Sequence, residues 1–236
     1  MKGPAPLSPE ECRAAIASID HALLDPTLGR ADLEAGCVLA RECGVASVCI
    51  VPWAVPIAAE ILAGSGVRPS TVIGFPHGAN APATKLAETA RALADGAIEL
   101  DVVVNLSWVL DGRWDDVRAE LDALVGATHA GGGLVKVIFE NCFLDDAAKR
   151  RLCAISTEVG ADWVKTSTGF GPGGATEADV ALMRGACPPR VGVKAAGGIR
   201  DLDTLLRYRA LGADRCGASR TREIVAEARK RAGIRD

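Results

Sequence analysis

Lysine is scarce in this chain, with seven residues against twenty arginines, so most of its positive charge is guanidinium. Aromatic side chains make up only 4% of the residues and include a single tyrosine. That composition argues against an aromatic-rich interaction module and for a core built of aliphatic layers. There is no basic block or stripe and the formal charge is −3, which argues against a nucleic-acid partner. No apolar run approaches the roughly 20 residues that cross a bilayer. The opening segment MKGPAPLSPEE has no apolar signal core, so no membrane association or secretion is expected. The cysteines at 12, 37, 43, 49, 142, 153, 187 and 216 contain no C-x-x-C pair and sit mostly in helix- or strand-like segments. They read as small free hydrophobes in a reducing cytoplasm. His21, His77 and His129 are far apart and lack ligand spacing, so the expectation is chemistry without a metal and without a cofactor.

What is present is a regular alternation. Short β-branched runs at 19–24, 46–51, 70–75, 97–104, 134–139, 161–166, 191–196 and 214–218 alternate with Ala/Leu/Arg/Glu-rich helical stretches. The spacing is about one βα unit each, and eight units close a barrel. The runs are continuously apolar, as in a parallel sheet covered on both faces. Gly96-Ala97, Gly160-Ala161-Asp162 and Gly212-Ala213-Asp214 form a weak repeat in which glycine ends a helix and a strand follows. The expected fold is therefore α/β: a single (β/α)8 TIM barrel over residues 1–236 with a short N-terminal helix. A doubly wound open sheet would want a glycine-rich turn after the first strand, and IDHALLDPTLG is not one.

Three of the seven lysines lie in apolar strand segments: Lys136 in LVKVIFE, Lys165 in DWVKTSTGFG and Lys194 in VGVKAAGG. A guanidinium stays charged, whereas a desolvated ammonium can lose its proton and become a nucleophilic amine. Residues two apart share a strand face, which groups Lys165 with Trp163 and Ser167, and Asp101 with Glu99 and Val103. If these faces point inward near the strands' C-terminal ends, three ammoniums and a carboxylate meet at the barrel mouth, where barrel enzymes place their chemistry. Thr168, Gly169 and a glycine-rich turn follow Lys165 and suit an anionic, oxygen-rich substrate. Gly197 and Gly198 follow the seventh strand, and Gly217 and Ser219 close the eighth, which is the recurrent phosphate site of this fold.

Taken in order, IDHALL-x-P, VCIVP, VIGFPHGA, ELDVVVN, VKVIFENCFL, VKTSTGFG-x-GGAT, VKAAGGIR and GAS resemble the deoxyribose-phosphate aldolases over about residues 16–220. The resemblance implies a class I aldolase that cleaves 2-deoxy-D-ribose 5-phosphate reversibly to glyceraldehyde 3-phosphate and acetaldehyde. It puts Lys165 on the Schiff-base lysine, Asp101 on the aspartate of proton transfer and Lys194 on the second active-site lysine. Lys194, kept as an ammonium, would disfavour protonation of Lys165. The iminium would then act as the electron sink for carbon–carbon cleavage. Lys136 is expected to position Asp101 or the substrate hydroxyls, and Gly169, Gly197, Gly198 and Ser219 to surround the phosphate. Asp20 and Cys49 are supporting residues, Cys49 read as packing. The expected partners are phosphorylated sugar and aldehyde substrates, with assembly as a homodimer or other homo-oligomer.

The chain departs from the family pattern at several points. Ala22 stands where many members have threonine, Arg220 replaces a small residue, and Leu106-Ser107-Trp108 replaces a smaller stretch. RKRAGIRD carries no tyrosine for a tail-borne proton relay. A Schiff-base aldolase for another sugar phosphate, or a non-catalytic phosphosugar-binding barrel, stays open at this point.

Overall fold

The computed structural model describes residues 5–234; the first four residues of the N-terminal segment and the last two of RKRAGIRD lie outside the described residues. The strands are β1 (Ile19–Leu23), β2 (Ser47–Ile50), β3 (Arg68–Ile73), β4 (Glu99–Val103), β5 (Leu134–Ile138), β6 (Trp163–Lys165), β7 (Gly192–Ala196) and β8 (Arg215–Ala218). They pair in sequence order, all parallel, and β8 returns to β1 to close the barrel. The helices are α1 (Pro9–Ile16), α2 (Arg30–Cys43), α3 (Val55–Leu62), α4 (Pro82–Ala94), α5 (Leu106–Leu110), α6 (Trp114–Ala130), α7 (Asp146–Glu158), α8 (Glu177–Ala186), α9 (Leu202–Ala210) and α10 (Thr221–Arg231). The fold is the expected (β/α)8 barrel, and α1 is the short leading helix. A Ser8–Glu11 capping box starts α1 by satisfying backbone donors at its N-terminus.

The closed barrel has two interiors of opposite character. Alternate strand residues such as Ile19, Val48, Ile50, Leu100, Val102, Val135, Val137, Val164 and Val193 belong to one continuous apolar core with the helices. That core is the ring between sheet and helices. The other face of the same strands points into the barrel and carries Asp20, Glu99, Asp101, Lys136, Lys165 and Lys194, all buried. Period-two alternation separates the two populations.

The glycine repeat has a structural role, and its aspartates add to it. Gly96, Gly160 and Gly212 adopt φ of 101°, 81° and 99°. The following residues, Ala97, Ala161 and Ala213, donate back to Ala92, Ser156 and Tyr208, closing each helix before the strand begins. Asp162 then accepts Val135 N–H at 2.8 Å, and Asp214 accepts Val193 N–H at 2.8 Å. Each carboxylate thus satisfies a ladder donor at the start of the adjacent strand. His129 is tied to Asp162 at 2.9 Å, well away from the mouth. β3 begins two residues earlier than the apolar run suggests, because Arg68 and Pro69 pair in register with Ser47 and Val48.

Candidate active site

The barrel interior is a stack of ionic contacts aimed by strand register. Asp101 on β4 pairs with Lys136 on β5, and Lys165 on β6 with Lys194 on β7. Asp101 Oδ2 receives Lys165 Nζ at 2.7 Å and Lys194 Nζ at 2.7 Å, while its Oδ1 receives Lys136 Nζ at 2.9 Å. Lys194 also meets Asp20 Oδ2 at 2.6 Å, and Lys136 meets Glu99 Oε2 at 2.6 Å. Deeper still, Arg215 reaches Asp20 Oδ1 at 2.6 Å and Glu99 Oε1 at 3.0 Å. Trp163 floors the stack, with the Arg215 guanidinium 5.1 Å and the Lys136 ammonium 5.8 Å from its ring centroid. Gly192 makes room for the indole, since a Cβ there would fall 2.1 Å from Trp163 Cδ1.

Counting charges separates the lysines. Lys136, Lys194 and Arg215 balance Asp20, Glu99 and Asp101, leaving Lys165 as the surplus cation of the enclosed set. Burial pushes the Lys165 pKa down; Asp101 opposes this and Lys194 adds to it, and the net shift is downward. Burial also acts against a charged Lys194, yet Asp101 and Asp20 outweigh it and hold that ammonium charged. Lys136 is likewise raised, burial being overcome by Asp101, Asp20 and Glu99. Burial alone would raise Asp101, but Lys136, Lys165 and Lys194 hold it well below the usual carboxylate range. The network therefore favours the charged forms of Lys136, Lys194 and Asp101 and disfavours that of Lys165.

Above the stack opens a cavity of about 620 Å³. Lys165, Lys194, Asp20 and Cys49 form its floor side, and Thr168, Gly169, Gly197, Gly198, Gly217 and Ser219 are on its walls. Gly197 sits at φ 85° with its backbone against Gly174, where a Cβ would be 2.8 Å from Gly174 Cα. The loop after β6 is braced further. Buried Glu140, at φ 55°, accepts from Thr168 N at 3.1 Å and from the Thr168 hydroxyl, while Tyr208 Oη donates to Ala175 O at 2.6 Å. Thr168, Gly169 and Phe170 thus face the cavity from a loop fixed on three sides.

The structure brings the sequence-predicted residues together, with two below the rest. Asp101 and Lys136 are fully buried under the cavity floor and do not line it. Lys136 therefore contacts Asp101, Glu99 and Ser70 (3.5 Å), and no substrate hydroxyl would reach it without passing that layer. Cys49 Sγ lies 3.9 Å from Asp101 Oδ2, and burial followed by the Asp101 charge pushes its thiol pKa up. His77 and Arg220 are exposed and do not line the cavity, and Arg200 lines it instead. His21 lies on the outer side of β1, with Nδ1 2.8 Å from Thr221 Oγ1, and burial lowers its pKa to about 4. Sequence reasoning missed Arg215, Glu140 and Arg200. The available signals were slight: Arg215 is two residues from Gly217 and so shares its face, whereas Glu140 shows itself only by its positive φ.

A closed barrel with buried amines gathered around one carboxylate at its mouth defines a TIM-barrel enzyme. The chain belongs to the DeoC/LacD family of aldolases, whose family model matches residues 14–227. It is 57% identical over 216 residues, 92% of this chain and 90% of the relative, to a deoxyribose-phosphate aldolase of Rhodopirellula baltica. Among solved structures it is similar to one described as QR15, an aldolase, with TM-score 0.89 and 37% identity over 94% of this chain and 99% of that one. It is also similar to a tetrameric deoxyribose phosphate aldolase from Aeropyrum pernix, with TM-score 0.86 and 31% identity over 92% and 91% of the two chains.

Proposed function

We propose that this chain catalyses the reversible aldol cleavage of 2-deoxy-D-ribose 5-phosphate through a Schiff base on Lys165. The observation that carries this reading is the surplus, nearly dry Lys165 amine sharing Asp101 Oδ2 with the ammonium of Lys194 on the cavity floor. The Lys165 amine adds to the C1 aldehyde of the open-chain sugar, and loss of water gives an iminium. Acetaldehyde carries C1 and C2, so the bond that breaks is C2–C3. Its electrons pass to the iminium and leave an enamine, while the C3 hydroxyl gives up its proton and becomes the aldehyde of glyceraldehyde 3-phosphate. Asp101, with Lys194 beside it and a water between it and the substrate, takes that proton and returns it to C2 of the enamine. Water then releases acetaldehyde and restores the amine.

The 5-phosphate falls to Gly197, Gly198 and Ser219, with Thr168 and Gly169 opposite and Arg200 as the cation on the cavity wall. Asp20 and Lys136 hold Asp101 and Lys194 in place from below, and Cys49 packs beside them. Strands from 19 to 218 sharing one closed sheet support a single domain. A cytoplasmic setting is supported by buried thiols such as Cys12, Cys37, Cys49 and Cys216, and no helix among the described residues is long and apolar enough to cross a membrane. Assembly into a homo-oligomer is supported by large apolar side chains left exposed, Trp53, Leu110 and Phe143 among them.

Steady-state cleavage of deoxyribose 5-phosphate against a panel of other sugar phosphates tests the reading. A kcat/KM at least tenfold above every other substrate is expected. Preference for another phosphosugar, or no turnover at all, would overturn it.

A further inference from the structure

Arg215 is chemically idle in the reaction above, yet the barrel is built around it. The side chain projects from β8 into the interior and reaches no part of the cavity lining. Asp20 Oδ1 lies 2.6 Å from its Nη1, and Glu99 is 3.3 Å from Nη1 and 3.0 Å from Nη2. Its guanidinium lies over Trp163, whose indole occupies the space that a side chain at residue 192 would need. Asp20 is thus shared between two cations, Arg215 below and Lys194 above. Arginine suits the lower place because its planar fork reaches both carboxylates at once.

We propose that Arg215 is a positioning residue that sets the protonation of Lys165 from two layers away, by supplying the fixed positive charge that leaves Lys165 the surplus cation. This rests on Lys165 being the reactive amine. The enclosed groups form a complete set: Asp20 from β1, Cys49 from β2, Glu99 and Asp101 from β4, Lys136 from β5, Lys165 from β6, Lys194 from β7 and Arg215 from β8, with half-exposed Arg68 of β3 touching Glu99 at 2.9 Å from the floor. With half-solvated Arg68 set aside, Lys136, Lys194 and Arg215 match the three enclosed carboxylates without a charge on Lys165. Without Arg215 the enclosed set gains one net negative charge, and protonating Lys165 is the way to restore balance. The enclosed lysines and carboxylates are buried and the Arg215 side chain is only 11% exposed, so solvent screens the change little. The link runs through Asp20, where burial favours the neutral carboxyl but Lys194, Lys136 and Arg215 outweigh it and hold the carboxylate ionised.

The readout is the pH dependence of borohydride trapping of acetaldehyde on Lys165, beside kcat/KM over the same range. Arg215→Met should move the acid limb of both profiles up by about one pH unit. Glu99→Gln removes an anion and should move the limb down. The double variant Arg215→Met/Glu99→Gln, and Arg215→Lys, both keep the balance and should leave the limb at its wild-type position even where kcat falls. A structural role for Arg215 predicts lower kcat in each variant with the limb unmoved, and that result overturns the proposal. If Arg215→Met does not fold, a displaced limb in Arg215→Lys or an unmoved limb in Glu99→Gln overturns it equally. Failure to trap wild-type Lys165 would instead defeat the Schiff-base reading; trapping with an unmoved limb defeats only the role of Arg215.

Discussion

Replacing Lys194 by methionine removes one cation from the pair on Asp101 Oδ2 and keeps most of the side-chain volume. Both ammonium nitrogens lie 2.7 Å from that oxygen, so they are at most about twice that distance apart. At about 5 Å and an effective dielectric of about 20, two unit charges repel by about 3 kcal/mol, or about two pKa units. Losing Lys194 therefore raises the Lys165 pKa by about two units, and Asp101, freed from sharing, pulls in the same direction. Only the unprotonated amine adds to an aldehyde, so kcat/KM at pH 7 should fall by up to about a hundredfold. The sign of the pH dependence follows: activity of the variant recovers as pH rises through the new Lys165 pKa, and wild type reaches its plateau about two pH units lower. Coupled detection of glyceraldehyde 3-phosphate from pH 6 to 10 measures both effects. Activity within threefold of wild type at pH 7, or a loss that alkali does not relieve, would refute the reasoning.

Glu140→Gln weakens the charge-assisted brace on Thr168 by about 1.5 kcal/mol, so KM for the phosphorylated sugar should rise roughly tenfold with kcat less affected; a steady-state KM–kcat split checks it. Gly192→Ala drives a Cβ to 2.1 Å from Trp163 Cδ1, and overpacking should destabilise the barrel by about 1–3 kcal/mol, read as a lower denaturation midpoint. Lys85 on α4 donates to Glu120 at 2.9 Å and to Val103 O at 2.9 Å with no exposure. Lys85→Met should cost about 3–5 kcal/mol by stranding Glu120, while Lys85→Met/Glu120→Leu should recover most of it in the same denaturation assay.

The strand count and inward aim of the site were legible because both follow from local periodicity. Lys136, Lys165, Lys194 and Asp101 each sit in an apolar run, and a period of two fixes which neighbours share their face. Their partners were less accessible. Glu99 and Arg215 meet across the barrel, 116 residues apart in the chain, and only closure and register bring them together. Lys85 looks like an ordinary helical lysine, because the carboxylate that permits its burial is on α6. Arg68-Pro69 reads as a strand boundary, since proline cannot donate to a ladder; here the parallel register with Ser47 and Val48 accommodates it. Glu140 left no pattern, because loop geometry and a single φ of 55° aim its carboxylate at Thr168. Glycine repeats did mark the helix ends, but the aspartates beside two of them do as much, by satisfying the N–H of the second residue of β5 and of β7.

The measurement that bears most directly on Lys165 as nucleophile is reductive trapping. Protein incubated with acetaldehyde and borohydride at neutral pH, then digested and mass-mapped, should carry one ethyl group on Lys165 and lose activity in step with that modification. Lys136 and Lys194, held as ammoniums by their carboxylates, should stay unmodified. An unmodified Lys165, or preferential alkylation of Lys194, would contradict the assignment of the two amines.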